Sequence, residues 1–321
     1  MLVIIWAASS LMFLLPRLAG EDAIQQRFKS DEERISRMPA DRRLAYEQFR
    51  DAFGFEKPLW RQYVIYIGRL ARFNLGYSMS YYPVTVNKLV ADSVVWTIGL
   101  LGVATVIAFA AGTLIGGLLG WSGSGSWARL VGLQVFALAA VPYYLLGLLL
   151  VFVFGFRLGW FPMFGGYSVG TFPEWSLNFA GDIIHHSILP AITIVLASTG
   201  FWALQMRGMV VTVMGEDFMA LAESKGLTRA RLFFRYAVRN ALLPQTTGLA
   251  ISLGTVLTGV MLVEIVFNYP GLGYVLRLAI RRSDYFVVTG LVYTVIVSLS
   301  AATFLMDVLY PKLDPRIRGR A

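Results

Sequence analysis

Long apolar runs separated by polar intervals set the pattern of the chain. A bilayer core of roughly 30 Å needs about 20 apolar residues in a helix, which alone satisfies its own backbone hydrogen bonds there. Five runs meet that length: residues 94–120, 131–156, 187–206, 246–267 and 287–310. A sixth, residues 1–16, is several residues shorter. It carries neither the basic n-region nor the small-residue cleavage site of a signal peptide, and reads as a first membrane helix that is N-terminally clipped. The pattern predicts an all-α polytopic membrane protein with about six transmembrane helices. Its parts are a first helix (1–17), an outer segment (18–93), a five-helix core (94–310) with a structured loop at 207–244, and a tail (311–321).

Composition sharpens this reading. The chain is 57% apolar and only 15% charged, against about a quarter charged in soluble domains, so its solvent is lipid. The net charge of +9 would suggest nucleic acid in a soluble domain. Here Lys and Arg segregate by loop. One side holds 11: Arg129, Arg207, Lys225, Arg229, Arg231, Arg235, Arg239, Lys312, Arg316, Arg318 and Arg320. The opposite short loops hold four: Arg157, Arg277, Arg281 and Arg282. Cationic loops stay inside, so both termini are expected in the cytoplasm, with the lipid bilayer and no nucleic acid as partner. The outer segment mixes acids and bases (Asp31, Glu32, Glu33, Arg34, Asp41, Arg42, Arg43) and predicts short surface helices. There is no cysteine, hence no disulfide framework or thiolate metal site. Gly112, Gly116 and Gly120 recur at a spacing that lets helix backbones approach closely.

The interval 207–244 is too regular for a connector. Glu216 and Asp217 open a helix, where acids favour the positive end of the backbone dipole. Phe218, Leu221 and Ala222 follow on one face, and Gly226 ends the helix. A second helix is expected from the N-cap Thr228 to a break at Pro244, with Arg231, Arg235 and Arg239 as a basic stripe. The element reads either as a helix pair lying on anionic headgroups or as a dock for a soluble motor.

The run Asp217-Phe-Met-Ala-Leu-Ala-Glu-Ser-Lys-Gly226, followed by Arg239-Asn-Ala-Leu-Leu-Pro244, resembles the cytoplasmic coupling loop of ATP-binding-cassette importer permeases. The similarity is to the dipeptide, oligopeptide and nickel permease family, of the B-subunit type. It extends over most of the chain: Pro58-Leu-Trp60, Leu75-Gly-Tyr-Ser78, Leu158-Gly-Trp-Phe-Pro162, His186-Ser-Ile-Leu-Pro190, Glu264-Ile-Val-Phe267, Pro270-Gly-Leu-Gly273, Asp284-Tyr285, Asp307-Val-Leu-Tyr310 and Leu313-Asp-Pro-Arg-Ile-Arg318. The resemblance implies a type I importer permease fold. It also implies that Asp217, Phe218, Leu221, Ala222, Lys225 and Gly226 seat in a groove of a separate ATPase. The superfamily pattern Glu-Ala-Ala-x-x-x-Gly meets Ala220, Leu221, Ala222 and Gly226 here, without its leading Glu. Thr212 likewise stands where many relatives carry Glu, and Leu18-Ala-Gly-Glu-Asp22 where they often show Pro-Gly-Asp-Pro.

The resemblance further implies a second permease subunit, two ATPase subunits and an extracytoplasmic solute-binding protein. The imported solute would be a dipeptide or oligopeptide, with nickel, opines or oligosaccharides as alternatives. No cofactor is expected in this chain. The five lysines follow Phe28, Glu56, Asn87, Ser224 and Pro311, so no Gly-Lys pair forms a phosphate-cradling loop, and ATP and magnesium fall to the partner ATPase.

Single residues divide between roles. Glu264, near the outer interface, is a candidate for the pathway or gate, or simply reaches water; Asp307 reads as structural. His185 and His186 are adjacent, point to different helix faces and fall short of a metal set. Trp160, Phe161, Tyr167, Phe172 and Trp175 suit an interfacial aromatic belt or contact with a ligand or its binding protein. A polytopic membrane enzyme would need a catalytic cluster at membrane depth, and the spans offer none. A self-contained channel or secondary transporter would favour broken helices or charged rings at the midplane and would not need the 217–226 element.

Overall fold

The computed structural model describes residues 1–18, 57–121, 125–254 and 261–313. Helices dominate the described residues, and the lone strand-like feature is the antiparallel bridge between Tyr77 and Thr85. In chain order they are α1 (Leu2–Leu18), α2 (Leu59–Leu70), α3 (Val86–Gly120), α4 (Ser126–Ala140), α5 (Tyr143–Leu150), α6 (Leu177–Met214), α7 (Asp217–Ser224), α8 (Arg229–Arg231), α9 (Arg239–Gly254), α10 (Met261–Val266), α11 (Leu272–Arg281) and α12 (Tyr285–Leu313). Wide π-helical turns extend α5 through Val151–Arg157 and join α8 to α9 through Leu232–Val238.

Three helices are long and apolar enough to cross a membrane, at Val86–Gly120, Leu177–Met214 and Tyr285–Leu305. The expected single span at 131–156 is broken: α4 and the α5 segment meet at 101°. Pro142 is the cause. It lacks an N–H, and its ring drives the preceding residue out of helical space; Val141 is extended, with φ −80° and ψ 126°. The expected span at 246–267 is represented by α9 and α10, with residues 255–260 outside those described, and the apolar stretch Leu2–Leu14 is shorter than a crossing. The described residues therefore hold three full crossings and one bent pair, short of the six expected.

Two compact units make up the chain: Met1–Ser93 with Val275–Ala301, and Val94–Tyr274 with Ala302–Ala321. In the first, Phe13 of α1 packs between Tyr63 and Tyr66 of α2, and the Arg17 guanidinium lies 3.7 Å from the Phe13 ring centre. Within the interval 18–93 the described residues hold α2 and the start of α3; the charged stretch 31–43, on which the expected surface helices were read, lies outside them. Asp284 is buried and accepts from Ser78 Oγ at 2.5 Å and Ser80 N at 2.9 Å, pinning the loop before α3.

In the second unit α6 is the common support. The glycine face of α3 lies against it so closely that a Cβ on Gly116 would fall 2.8 Å from the carbonyl carbon of Ala203. Gly200 gives the same close approach to Ala139 of α4, and Gly147 of α5 faces Thr193 and Phe267. With no hydrophobic driving force between helices in lipid, such backbone approach maximises dispersion contact.

Candidate functional site

The 217–226 element is short but stiff. Glu216 is the extended N-cap of α7 and Asp217 its first residue. Gly226 follows with φ +72°, a left-handed backbone that suits glycine, and its N–H donates to the Glu223 carbonyl at 2.9 Å. Thr228 does occupy the N-cap of the next helix, although its hydroxyl makes no capping bond.

Phe218, Leu221 and Ala222 do not share one environment. Met219 and Ala222 are 3% and 4% exposed, packed with Met206 and Val210 of α6 and with Leu232, Ala237 and Ala241. Phe218 and Leu221 point away, 39% and 57% exposed. The inner side is chosen by Met219, which helical spacing places beside Ala222 and which the sequence reading passed over. Asp217, Lys225 and Gly226 are exposed, as are Arg231, Arg235 and Arg239. These arginines lie along the π-helical turn and its ends, where a widened turn keeps residues four apart near one face. Thr212 is exposed within α6, its hydroxyl donating back to the Gly208 carbonyl.

The expected loop of 207–244 is narrowed from both sides. Helix α6 continues to Met214, and α9 runs on through Pro244 to Gly254. The expected break at Pro244 is absent: Pro244 lies inside the helix Arg239–Gly254, where the Thr246 and Thr247 hydroxyls donate to the Leu243 carbonyl, as transmembrane helices tolerate proline when side-chain hydroxyls bond nearby backbone.

Glu264 does not reach water. It is fully buried in α10. Thr97 of α3 donates to one carboxylate oxygen at 2.7 Å, and Gly273 N donates to the other at 2.6 Å. Thr97 Oγ in turn accepts from Leu272 N at 2.9 Å. A helix begins with amide donors that have no partner inside it, and α11 has two of them satisfied by Glu264 and Thr97. Gly271 completes the arrangement, since a Cβ there would overlap the carboxylate. The sequence reading missed Thr97, whose partner lies 167 residues away.

His186 is buried, with Nδ1 3.0 Å from the Asp182 carbonyl and 3.2 Å from its carboxylate, whereas His185 is exposed beside the Trp160 carbonyl. Among the described residues no group of three or more His, Cys, Asp and Glu gathers to hold a metal ion. Trp160, Phe172 and Trp175 are strongly exposed, and Phe161 and Tyr167 partly buried. The side chain of Asp307 lies outside those described.

Known proteins resemble this chain along most of its length. Residues 112–319 match the family described as "Binding-protein-dependent transport system inner membrane component". The di/tripeptide transport system permease protein of Pseudomonas aeruginosa is 31% identical over 311 residues, 88% of each chain. The dipeptide transport system permease protein of Escherichia coli K12 is 32% identical over 285 residues, 83% of each. The oligopeptide transport system permease protein of Haemophilus influenzae is 31% identical over 270 residues, again 83% of each. With a helical membrane core onto which α7 packs through Met219 and Ala222, the chain belongs to the binding-protein-dependent transport system inner membrane components, the permeases of ATP-binding-cassette importers.

Proposed function

We propose that this permease imports short peptides and takes mechanical work from separate ATPase subunits through the 217–226 element. The observation that carries this reading is the division of α7. Met219 and Ala222 bind it to α6 and the α8–α9 turn, while Phe218 and Leu221 remain as exposed apolar groups beside Asp217 and Lys225. Exposed apolar pairs on a stiff support are the usual anchors of a protein contact. The relatives named for di/tripeptide, dipeptide and oligopeptide transport support the solute class.

In this reading the chain pairs with a second permease subunit, two ATPases dock on the cytoplasmic face and an extracytoplasmic solute-binding protein delivers the peptide. ATP and magnesium reside in the ATPases. Nucleotide binding draws the two α7 elements together, the path opens outward, and hydrolysis resets it. Both termini are cytoplasmic in a prokaryotic cell membrane, as the concentration of Arg and Lys on one side supports. Arg231, Arg235 and Arg239 face headgroups or the ATPase rim.

The double variant Phe218→Ser/Leu221→Ser tests the dock. Both side chains are exposed, so assembly in the membrane is retained. Losing two apolar anchors of about 1.5–3 kcal/mol each weakens ATPase association at least about a hundredfold in co-purification from native membrane. Normal association would place the dock elsewhere.

A further inference from the structure

Helices α1 and α2 are inverted relative to a water-facing pair. On α2, Trp60 and Val64 are 63% and 61% exposed while Gln62 is only 5% exposed. On α1, Leu11 and Leu14 are exposed while Ser9 is buried. An apolar outside around a polar inside suits helices bathed in acyl chains.

The polar inside includes a pocket of about 70 Å³ within the first unit, bounded by α1, α2, the loop after α2 and the start of α12. A water's share of liquid volume is about 30 Å³, and small-ligand pockets begin at roughly 300 Å³. The space therefore takes a group of a few heavy atoms and not a whole solute. The guanidiniums of Arg17 and Arg69 line it with Gln62, Tyr66 and Asn74, and among the described residues no carboxylate does. Arg17 is held in place: its Nη1 donates to the Phe13 carbonyl at 2.7 Å and its Nη2 to Gln62 Oε1 at 3.1 Å. The side-chain carbonyls of the lining are engaged, Gln62 Oε1 by Arg17 and Asn74 Oδ1 by the Gly76 N–H. The Tyr66 hydroxyl, by contrast, is buried with no hydrogen-bond partner among the described residues, and leaving such a donor unsatisfied is costly. The complement of this lining is a small group rich in acceptors and negative charge.

Position chooses among such groups. Arg17 stands three residues beyond the apolar stretch Leu2–Leu14, about 4.5 Å along the helix axis. The headgroup layer extends about 5–8 Å past the hydrocarbon on each side. Phosphate is the anion of that layer, guanidinium recognises it through paired hydrogen bonds, and basic pockets between membrane helices hold anionic headgroups. A headgroup amine would find no counter-ion among the lining residues.

We propose that this pocket binds the phosphate of an anionic phospholipid. Arg17 and Arg69 supply the charge, the Tyr66 hydroxyl donates to a phosphate oxygen, and the acyl chains lie among the exposed apolar groups of α1 and α2. The lipid is then a structural ligand that joins α1, α2 and the start of α12.

Native mass spectrometry of the complete importer, stripped of lipid in detergent and titrated with single phospholipids, tests the site. Wild type binds phosphatidylglycerol, and binds phosphatidylcholine, whose phosphate carries a fixed cation, at least about tenfold more weakly. Tyr66→Phe removes only the hydroxyl and weakens phosphatidylglycerol about tenfold, the loss of one hydrogen bond to a charged group; Arg69→Gln weakens it further. Arg61→Gln, exposed on α2 with its guanidinium over the Trp60 ring, binds as wild type does. Without lipid, Tyr66→Phe melts no lower than wild type, because its hydroxyl has no protein partner to lose. Inorganic phosphate at millimolar concentration leaves the lipid bound. Displacement by inorganic phosphate overturns the lipid assignment in favour of a free anion. Equal binding of the two lipids, unchanged phosphatidylglycerol binding in both Tyr66→Phe and Arg69→Gln, or a lower lipid-free melting temperature of Tyr66→Phe overturns the site itself.

Discussion

Gly102→Ala and Gly116→Ala place the same methyl group on α3 in opposite circumstances. At Gly102 an added Cβ has no atom within 4 Å, so the change keeps only the helix-propensity gain of alanine over glycine, up to about 1 kcal/mol. At Gly116 the Cβ meets the Ala203 carbonyl, with its carbon and Cα both at 2.8 Å. Carbon contacts settle near 3.5–4.0 Å, so α3 and α6 must part by roughly 1 Å. Backbone cannot rotate aside as a side chain can. The separation also loosens the contacts at Gly112 and Gly120, which press on Thr199–Ala203 and on Arg207 and Val210. Overpacking of this kind costs about 1–3 kcal/mol, and after the propensity gain Gly116→Ala is destabilised by up to about 2 kcal/mol. The propensity gain is common to both, so the two variants differ by the overpacking cost, about 1–3 kcal/mol, or about 2–12 °C in melting temperature for a unit of this size. Tryptophan-monitored thermal unfolding of the detergent-solubilised importer measures it, with Trp202 at the contact as a reporter. A Gly116→Ala protein at least as stable as Gly102→Ala refutes the reasoning.

Two buried carboxylates give further expectations. Glu264→Ala strands the Gly273 N–H and the Thr97 hydroxyl and lowers stability by about 3 kcal/mol. Glu264→Gln retains an acceptor and loses about 1 kcal/mol; equal melting temperatures for the two variants would contradict the capping role. Asp284→Ala releases Ser78 and Ser80, so amide exchange across residues 78–81 speeds up by at least about tenfold, from the loss of two buried hydrogen bonds of about 1 kcal/mol each. Unchanged exchange there would mean that the loop is held by other contacts.

Local chemistry was legible in the sequence, and long-range partnership was not. The left-handed Gly226, the acidic start of α7 and the close-packing glycines of α3 each depend on neighbours within a turn or on a spacing. Pro142 was equally legible as a breaker, yet apolarity through 131–156 masked it, because hydropathy does not register a missing N–H. Pro244 shows the converse: a breaker by its own chemistry, it lies inside a continuous helix. Which side of α7 turns inward depended on Met206, Val210 and Leu232, which belong to other elements. Glu264 looked interfacial from its flanking residues, and only Thr97 on α3 revealed it as a helix cap.

Under the proposed coupling, a push on α7 would meet a close-packed route. Met219 and Ala222 rest on Met206 and Val210, which belong to α6. Within the next two turns α6 touches α3 at Gly116 and Gly112 and α4 at Gly200 through backbone or Cβ atoms. Such contacts have no rotamers in which to take up displacement, and close-packed interiors transmit strain. Ala139 against Gly200 is the second residue before Val141, where the helix breaks. A movement of α6 that shifts Ala139 must therefore alter the one place where α4 and α5 are not held by helical hydrogen bonds. In the proposed function the work enters at Phe218 and Leu221, and Val141–Pro142 is the point of this packing where helical hydrogen bonding is interrupted.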